Sequence, residues 1–301
     1  MSDDRPRRSE LVAPGSERKF LVSAAASSAD SICIDLEDGV APNAKSDARE
    51  LTAEVLRTLD WQGKRCGVRV NQVGSDAFYD DLDVLVQAPS SSLDAIVLPK
   101  VNSVADVYVA ESYLGRVERS AGRLIPLKID LMIETVPGLL AIEKLRSASV
   151  RVESLLLGSG DLAIETGARV FGRSPGTEEE KDRQKSHSRH RVLLAARSAG
   201  LVAMDGPSFS ALSDTEWLAR EVRQASLMGF DGKWILHPSH IRIVNDGFAL
   251  TPEEESWALQ VLADYKASAE RGVGAARGAD DRVIDHASVA LAQRLLRRRK
   301  A

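Results

Sequence analysis

The sequence predicts an α/β fold, a closed (β/α)8 TIM barrel with a C-terminal helical extension. Three observations carry this expectation. Eight short apolar runs alternate with longer amphipathic ones, the signature of repeated βα units on a parallel sheet. The repetition fills about 250 residues, the usual span of such a barrel. The first run leads into Pro14-Gly15-Ser16, which is not the Gly-rich dinucleotide turn that opens many doubly wound sheets.

Taken in order, strands are expected at Leu11–Ala13, Ser31–Leu36, Cys66–Asn71, Ala95–Pro99, Leu127–Ile133, Ser154–Leu157, Leu201–Met204 and Lys233–Leu236. Helical spacing of apolar residues marks Ala44–Thr58, Val104–Arg119, Leu139–Ser147, Arg189–Ala199 and Thr215–Met228. Asn43, Ser75, Ser103 and Ser213 are the expected N-caps. Phe171–His187 reads as a polar surface loop running into a helix, and it lacks the GK[ST] ending of a phosphate loop. The barrel is expected to occupy residues 1–250 and the extension residues 251–301. In the extension Pro252 opens a helix to Glu270, a Gly- and Ala-rich link spans Gly272–Gly278, and a short extended piece leads into a final amphipathic helix. That tail is expected to pack on a neighbouring subunit or act as a lid over the barrel mouth.

Composition narrows the function. A chain of 301 residues, 44% hydrophobic and 28% charged, is ordinary for a globular protein. A net charge of -4 gives no reason to expect nucleic acid or an anionic membrane as partner. The basic clusters Arg5–Arg8 and Arg297–Lys300 read as solvated tails. No apolar segment precedes Leu11 and no run reaches the ~18 apolar residues of a membrane span, so neither a secretory leader nor a membrane helix is expected. Two cysteines, Cys33 and Cys66, sit inside apolar runs and read as buried hydrophobes of a reducing compartment, the cytoplasm.

The chemistry is expected at the C-terminal ends of the strands. The fifth and sixth strands, in LMIETVPGL and LLLGSGDLA, end in Glu134 and Asp161. Two acids delivered to one edge of a sheet, otherwise costly, suit a hard divalent cation that completes its shell with water and substrate. Gly158-Ser159-Gly160 leads into a helix whose first N–H groups can approach a substrate carboxylate. Arg69 offers a planar fork of donors for a carboxylate or an enolate oxygen. Asp35, Glu37 and Asp38 crowd the second strand end and call for a cationic partner. Asn71, Lys100, Asp205 and His237 also stand at strand ends. For Lys100 charge neutralisation, for Asp205 a turn cap before Gly206-Pro207, and for His237 simple packing compete with a functional role. Strand interiors are expected to be almost purely apolar.

Together these residues resemble the citrate lyase β-subunit and malyl-CoA lyase group of the HpcH/HpaI aldolase superfamily, one of the pyruvate/phosphoenolpyruvate-type barrels. The matching segments are RSELVAPG, ICIDLEDGVAPNAKSDAR, GVRVN, DAIVLPKV, LMIETVPGL, LLLGSGDLA, LLAARSAGLVAMDG and GFDGKWILHPSHI, in order from Arg8 to about Asn245. The resemblance implies Mg²⁺-dependent cleavage or formation of a β-hydroxyacyl thioester, with Mn²⁺ as a possible substitute. It implies Glu134 and Asp161 as metal ligands, Gly160 and Asp161 at the substrate, and Arg69 at the enolate. Glu37 and Asp38 would hold metal-bound water or orient Arg69, and Asp285 in RVIDHA would handle the proton of the acetyl carbanion in a neighbouring subunit.

The partners so implied are an acyl thioester, with CoA favoured over acyl carrier protein, an α-oxo acid, and further copies of the chain in a trimer or hexamer. Two departures concern the carrier. Lys19 and Ser23 stand where an arginine and a lysine are usual, and DRVIDHA replaces the commoner GKM[IV]DxP. The rivals are a thioesterase or a malate synthase-like condensing enzyme on the same scaffold and, from another class, a non-catalytic carrier-binding subunit.

Overall fold

Short runs that are apolar on both faces bury themselves best in a parallel sheet covered by helices. The computed structural model, which describes residues 5–87, 92–169, 177–270, 275–278 and 282–296, builds them into a closed barrel. Its strands are β1 (Ser9–Pro14), β2 (Ser31–Asp35), β3 (Arg65–Arg69), β4 (Leu93–Leu98), β5 (Lys128–Ile133), β6 (Val152–Leu157), β7 (Val202–Asp205) and β8 (Gly232–Ile235). Every neighbouring pair is parallel, and β1 closes on β8 in the register Ser9↔Lys233, Glu10↔Trp234 and Leu11↔Ile235. The expected barrel is therefore the observed one.

The helices follow the strands: α1 (Arg18–Ala26), α2 (Lys45–Thr58), α3 (Asp76–Gln87), α4 (Val104–Ser120), α5 (Val136–Leu145), α6 (Ser159–Thr166), α7 (Glu178–Gln184), α8 (Ser186–Ser198), α9 (Thr215–Met228) and α10 (Ile241–Phe248). Ser75 Oγ accepts from the N–H of Phe78, and Ser103 begins α4 with Asp106 accepting from its N–H. Two expected caps are corrected. Asn43 lies inside a 3-10 turn, Pro42–Ala44, that precedes α2. Asp214, not Ser213, caps α9 by accepting from Trp217 N–H at 3.0 Å. Helix α5 begins three residues earlier than its apolar spacing suggests, because Thr135 accepts from Gly138 N–H and Pro137 suits a first turn. The polar stretch at residues 170–176 lies outside the described residues, and α7 then starts behind a Thr177–Glu180 capping box.

Strand alternation sorts the interior into layers. Cys33, Val97, Met132, Leu156, Met204 and Trp234 form an apolar middle, with Val12 and Val202 against it. Two residues earlier on the strands the same face carries Glu10, Ser31, Arg65, Asp130 and Ser154, so the lower barrel is a polar plug, not the apolar interior expected. Arg65 forms an ion pair with Asp130 Oδ2 at 2.9 Å, Arg7 donates to the same oxygen at 3.2 Å, and Ser154 donates to Oδ1 at 2.5 Å. Arg7 also holds Glu10 at 2.8 Å, and Trp234 Nε1 donates to Glu10 at 2.7 Å. Burial alone would push the Asp130 carboxyl up. Arg65 and Arg7 outweigh it and hold it below the usual carboxylate range. The N-terminal basic cluster is thus no free tail at Arg7 and Arg8, since Arg7 enters this network and Arg8 clamps Asp30 at 2.7 and 2.8 Å. Arg297–Lys300 lie outside the described residues.

The residues group into two compact units, 7–247 and a second made of 1–6 with 248–301. In the second unit α11 (Pro252–Glu270) packs on α12 (His286–Leu296), and β9 (Ala276–Arg277) pairs antiparallel with β10 (Val283–Ile284). Its small core is Ala258, Val261, Ile284, Val289 and Ala292, with Trp257, Leu262, Tyr265 and Leu296 packed against it. Among the described residues no helix is long and apolar enough to cross a membrane.

Removing one member of a fully buried ion network strands the others. Asp130→Ala should cost about 3–5 kcal/mol in denaturant unfolding, while Asp130→Asn, which keeps hydrogen-bonding capacity, should cost less.

Candidate active site

At the end of β2 the chain carries three acids in four residues, and Asp35 organises them. Its carboxylate accepts from the N–H groups of Glu37 and Gly39, both at 2.8 Å, which curls Leu36–Gly39 into a tight turn. A Cβ at Gly39 would sit 2.4 Å from Asp35 Oδ2, so only glycine fits there. The turn is fixed from behind by Lys45, whose ammonium donates to the carbonyls of Leu36 and Glu37 and to Asn71 Oδ1 at 2.6 Å. Asn71 in turn donates to Leu36 O and to buried Asp81, which Arg49 also holds. Asn71 therefore supports the acidic turn from behind.

Arg69, the last residue of β3, meets Asp35 in a two-pronged pair at 2.7 and 2.6 Å. Its guanidinium also reaches Met132 Sδ and lies 5.8 Å from the Trp234 ring centroid. Glu37 Oε2 is 3.0 Å from Arg69 Nη1 but out of line with its N–H, so this buried oxygen has no hydrogen bond. The other oxygen of Glu37 is bound by Lys100, which also donates to both oxygens of Asp38 at 3.1 and 3.0 Å. Burial raises the Glu37 carboxyl despite Arg69 and Lys100. Asp38 is lowered, its partial burial being outweighed by Lys100.

Glu134 follows β5 on the inward-facing side. It is 1% exposed, and Oε1 accepts from the backbone N–H of Lys100 at 2.7 Å. Gly158, at the end of β6, makes room for it, because a Cβ there would lie 2.3 Å from Glu134 Cβ and 2.5 Å from Oε2. Burial pushes the Glu134 carboxyl up to about 8; the Lys100 N–H and Arg69 oppose this, whereas Glu37 and Asp161 add to it. Asp161 lies in the first turn of α6, half-buried, beside Gly160. The first N–H groups of that helix have no intrahelical acceptor and face an incoming anion with the positive end of the helix dipole.

The charges are unequally shared. Asp35 has Arg69, Glu37 and Asp38 have Lys100, and among the described residues Glu134 has only an amide N–H as hydrogen-bond donor. Among the described residues no three His, Cys, Asp or Glu side chains form a complete metal cage, so a cation at Glu134 and Asp161 would take further oxygens from water or substrate.

Other expected site residues lie elsewhere. Asp205 points outward into the helix layer, where Arg189 grips it at 2.9 and 3.1 Å and Lys233 at 2.7 Å. Burial would raise it, but these two cations hold it far below the usual range, which makes it a structural ion pair. His237 is exposed and caps a 3-10 turn by accepting from Ser239 N–H. Lys19 and Ser23 stand one turn apart on the exposed face of α1, Lys19 near Glu17 at 3.8 Å. Asp285 belongs to the second unit, exposed, and accepts from Ser288 N–H and Oγ at the start of α12. The sequence did not mark Lys45 or Trp234 as site residues, and it placed Gly158 in the turn before α6 without showing that it makes room for Glu134.

A family model described as HpcH/HpaI aldolase/citrate lyase matches residues 8–238. The chain belongs to this family. Within it, an L-malyl-CoA/beta-methylmalyl-CoA lyase of Cereibacter sphaeroides is 33% identical over 97% of this chain and 94% of its own length. A (3S)-malyl-CoA thioesterase of the same species is 32% identical over 98% of this chain and 95% of its own. The protein CitE of Mycobacterium tuberculosis, solved with magnesium, acetoacetate and coenzyme A, superposes with a TM-score of 0.76 at 28% identity, covering 98% of this chain and 99% of that one.

The raised Glu134 has a signed consequence. Below its ordinary 4.5 the carboxyl is protonated in both folded and unfolded chains, and between 4.5 and about 8 the folded chain keeps a proton that the unfolded one releases. In metal-free protein this group therefore weakens the fold as pH rises through that window, by several kcal/mol in all. Glu134→Gln should raise the metal-free thermal midpoint clearly at pH 8 and hardly at pH 5.

Proposed function

We propose that the chain is a Mg²⁺-dependent carbon-carbon lyase that cleaves or forms a β-hydroxyacyl-CoA thioester of the malyl type, citryl and citramalyl esters being its nearest variants. The observation that carries this reading is Glu134, buried with an amide N–H as its hydrogen-bond donor among the described residues and crowded by Asp161, beside a fixed Arg69, in a chain similar along nearly its whole length to a malyl-CoA lyase. The donor set fits a magnesium ion, with Mn²⁺ as a substitute. It consists of hard carboxylate oxygens, one carboxyl being raised by burial and crowded by neighbouring acids, with Glu37 Oε2, which lacks a hydrogen bond, nearby to accept from water. When bound, such an ion supplies Lewis-acid polarisation of the oxo-acid oxygens.

The chain's own residues supply the rest. Glu134 and Asp161 hold the cation, and the amides of Gly160 and Asp161 at the start of α6 bind the oxo-acid carboxylate. As the hydroxyl of the malyl unit gives its proton to solvent water, the O–H electron pair forms the carbonyl of the released oxo acid, the carbon-carbon bond breaks, and that bond's electron pair passes to the thioester as its enolate. Arg69, held rigid by Asp35, donates to the enolate oxygen so formed. Asp285 of a neighbouring copy returns a proton to the methyl carbon, and this role requires a homo-oligomer, a trimer or hexamer. Lys19 belongs to the carrier contact, for which CoA fits the reading better than acyl carrier protein. Two buried free thiols support a reducing, cytoplasmic setting.

Purified protein with malyl-CoA and Mg²⁺ should release glyoxylate and acetyl-CoA, and a chelator should stop the reaction. Malate and free CoA would instead favour the thioesterase, the activity named for the second relative. Neither pair of products, with Mg²⁺ still bound, would leave the non-catalytic carrier-binding reading. Arg69→Lys keeps the charge but loses the planar fork, and should lower kcat about a hundredfold or more with a smaller change in KM.

A further inference from the structure

Lys100 sits just beyond β4 with φ +49°, in the left-handed region that L side chains avoid. The angle φ sets the direction of a residue's N–H relative to its side chain, and here the two reach different acids. The N–H donates to Glu134 at 2.7 Å, while the ammonium binds Glu37 and both oxygens of Asp38. One residue thus touches the acid proposed as a cation ligand and the two that carry a fixed counter-charge.

We propose that Lys100 is a positioning residue that partitions the carboxylates at the barrel mouth: its ammonium neutralises Glu37 and Asp38, which confines a divalent cation to Glu134 and Asp161, while its N–H aims Glu134. This inference rests on the reading of Glu134 and Asp161 as the cation ligands. Its physical content is a sign. A fixed positive charge beside a divalent ion repels it and occupies two carboxylates that would otherwise attract it. Removing that charge while keeping the backbone should strengthen cation binding, whereas loss of a merely structural lysine would loosen the site and weaken it.

Lys100→Gly removes the ammonium, keeps the N–H and suits a positive φ. Lys100→Arg keeps a charge. Mn²⁺ binding by the full chain, followed by electron paramagnetic resonance and calorimetry, gives affinity and stoichiometry without reference to turnover. The parent and Lys100→Arg should each take one ion, with dissociation constants within about threefold of each other, and Lys100→Gly should bind about fivefold tighter or take a second ion. Equal or weaker binding by a folded Lys100→Gly, judged by its thermal midpoint, overturns the proposal. Should the glycine variant not fold, Lys100→Met carries the same test with the same outcomes. A parent that binds no Mn²⁺ beside a variant that does would show that the ammonium blocks Glu37 and Asp38, but would refute Glu134 and Asp161 as ligands and with them the partition. Binding by neither would refute both.

Discussion

Five carboxylates, Asp35, Glu37, Asp38, Glu134 and Asp161, converge on one end of this barrel, and the two cations placed among them, Arg69 and Lys100, are committed to the first three. That imbalance is the constraint on which the rest of the site depends. A buried carboxylate without a counter-charge either keeps its proton or recruits a cation. Glu134, buried and pushed up to about 8, is the group on which the imbalance falls most heavily. The same arrangement that makes it costly without a counter-charge is one that a hard divalent ion would relieve.

The barrel is built to hold this arrangement still. Asp35 and Arg69 are the last residues of adjacent strands and register partners, so the pairing of β2 with β3 itself delivers the two-pronged contact. Behind them Lys45, Asn71, Asp81 and Arg49 lock the acidic turn through backbone carbonyls as well as side chains. Below them an apolar layer separates the mouth from a second set of buried charges around Asp130. The two polar zones carry opposite assignments. In the lower one two arginines hold Asp130 in its ionised form, which suits a structural plug. In the upper one the buried Glu134 is left short of positive charge, which suits a site.

Much of this was legible in the sequence, because parallel strands buried on both faces leave a plain record: short apolar runs, polar punctuation, and a functional group where each run stops. Glu134, Asp161, Arg69 and the DLED acids could be picked out on that rule alone. The rule failed where direction mattered. Asp205 ends a strand like the others, but alternation turns it outward to Arg189 and Lys233. Glu10, Arg65 and Asp130 sit inside strands, where a run that is mostly apolar hides an inward charge. Lys45 follows Glu37 by only eight residues, but it opens a helix rather than ending a strand, so the rule passes over it. Asn43 and Ser213 were plausible caps by type, and the local turns chose neighbouring residues instead.

The carrier contact proposed for Lys19 and the proton transfer proposed for Asp285 involve groups apart from the acidic cluster, Lys19 on an exposed helix and Asp285 in the second unit. The cation is the more direct test. Diffraction from crystals grown with Mn²⁺ and pyruvate, with data collected to bring out the metal's anomalous signal, should give one peak bridging Glu134 and Asp161, with a pyruvate oxygen completing the shell. A peak between Glu37 and Asp38, or no peak at the barrel mouth at saturating Mn²⁺, would contradict the account.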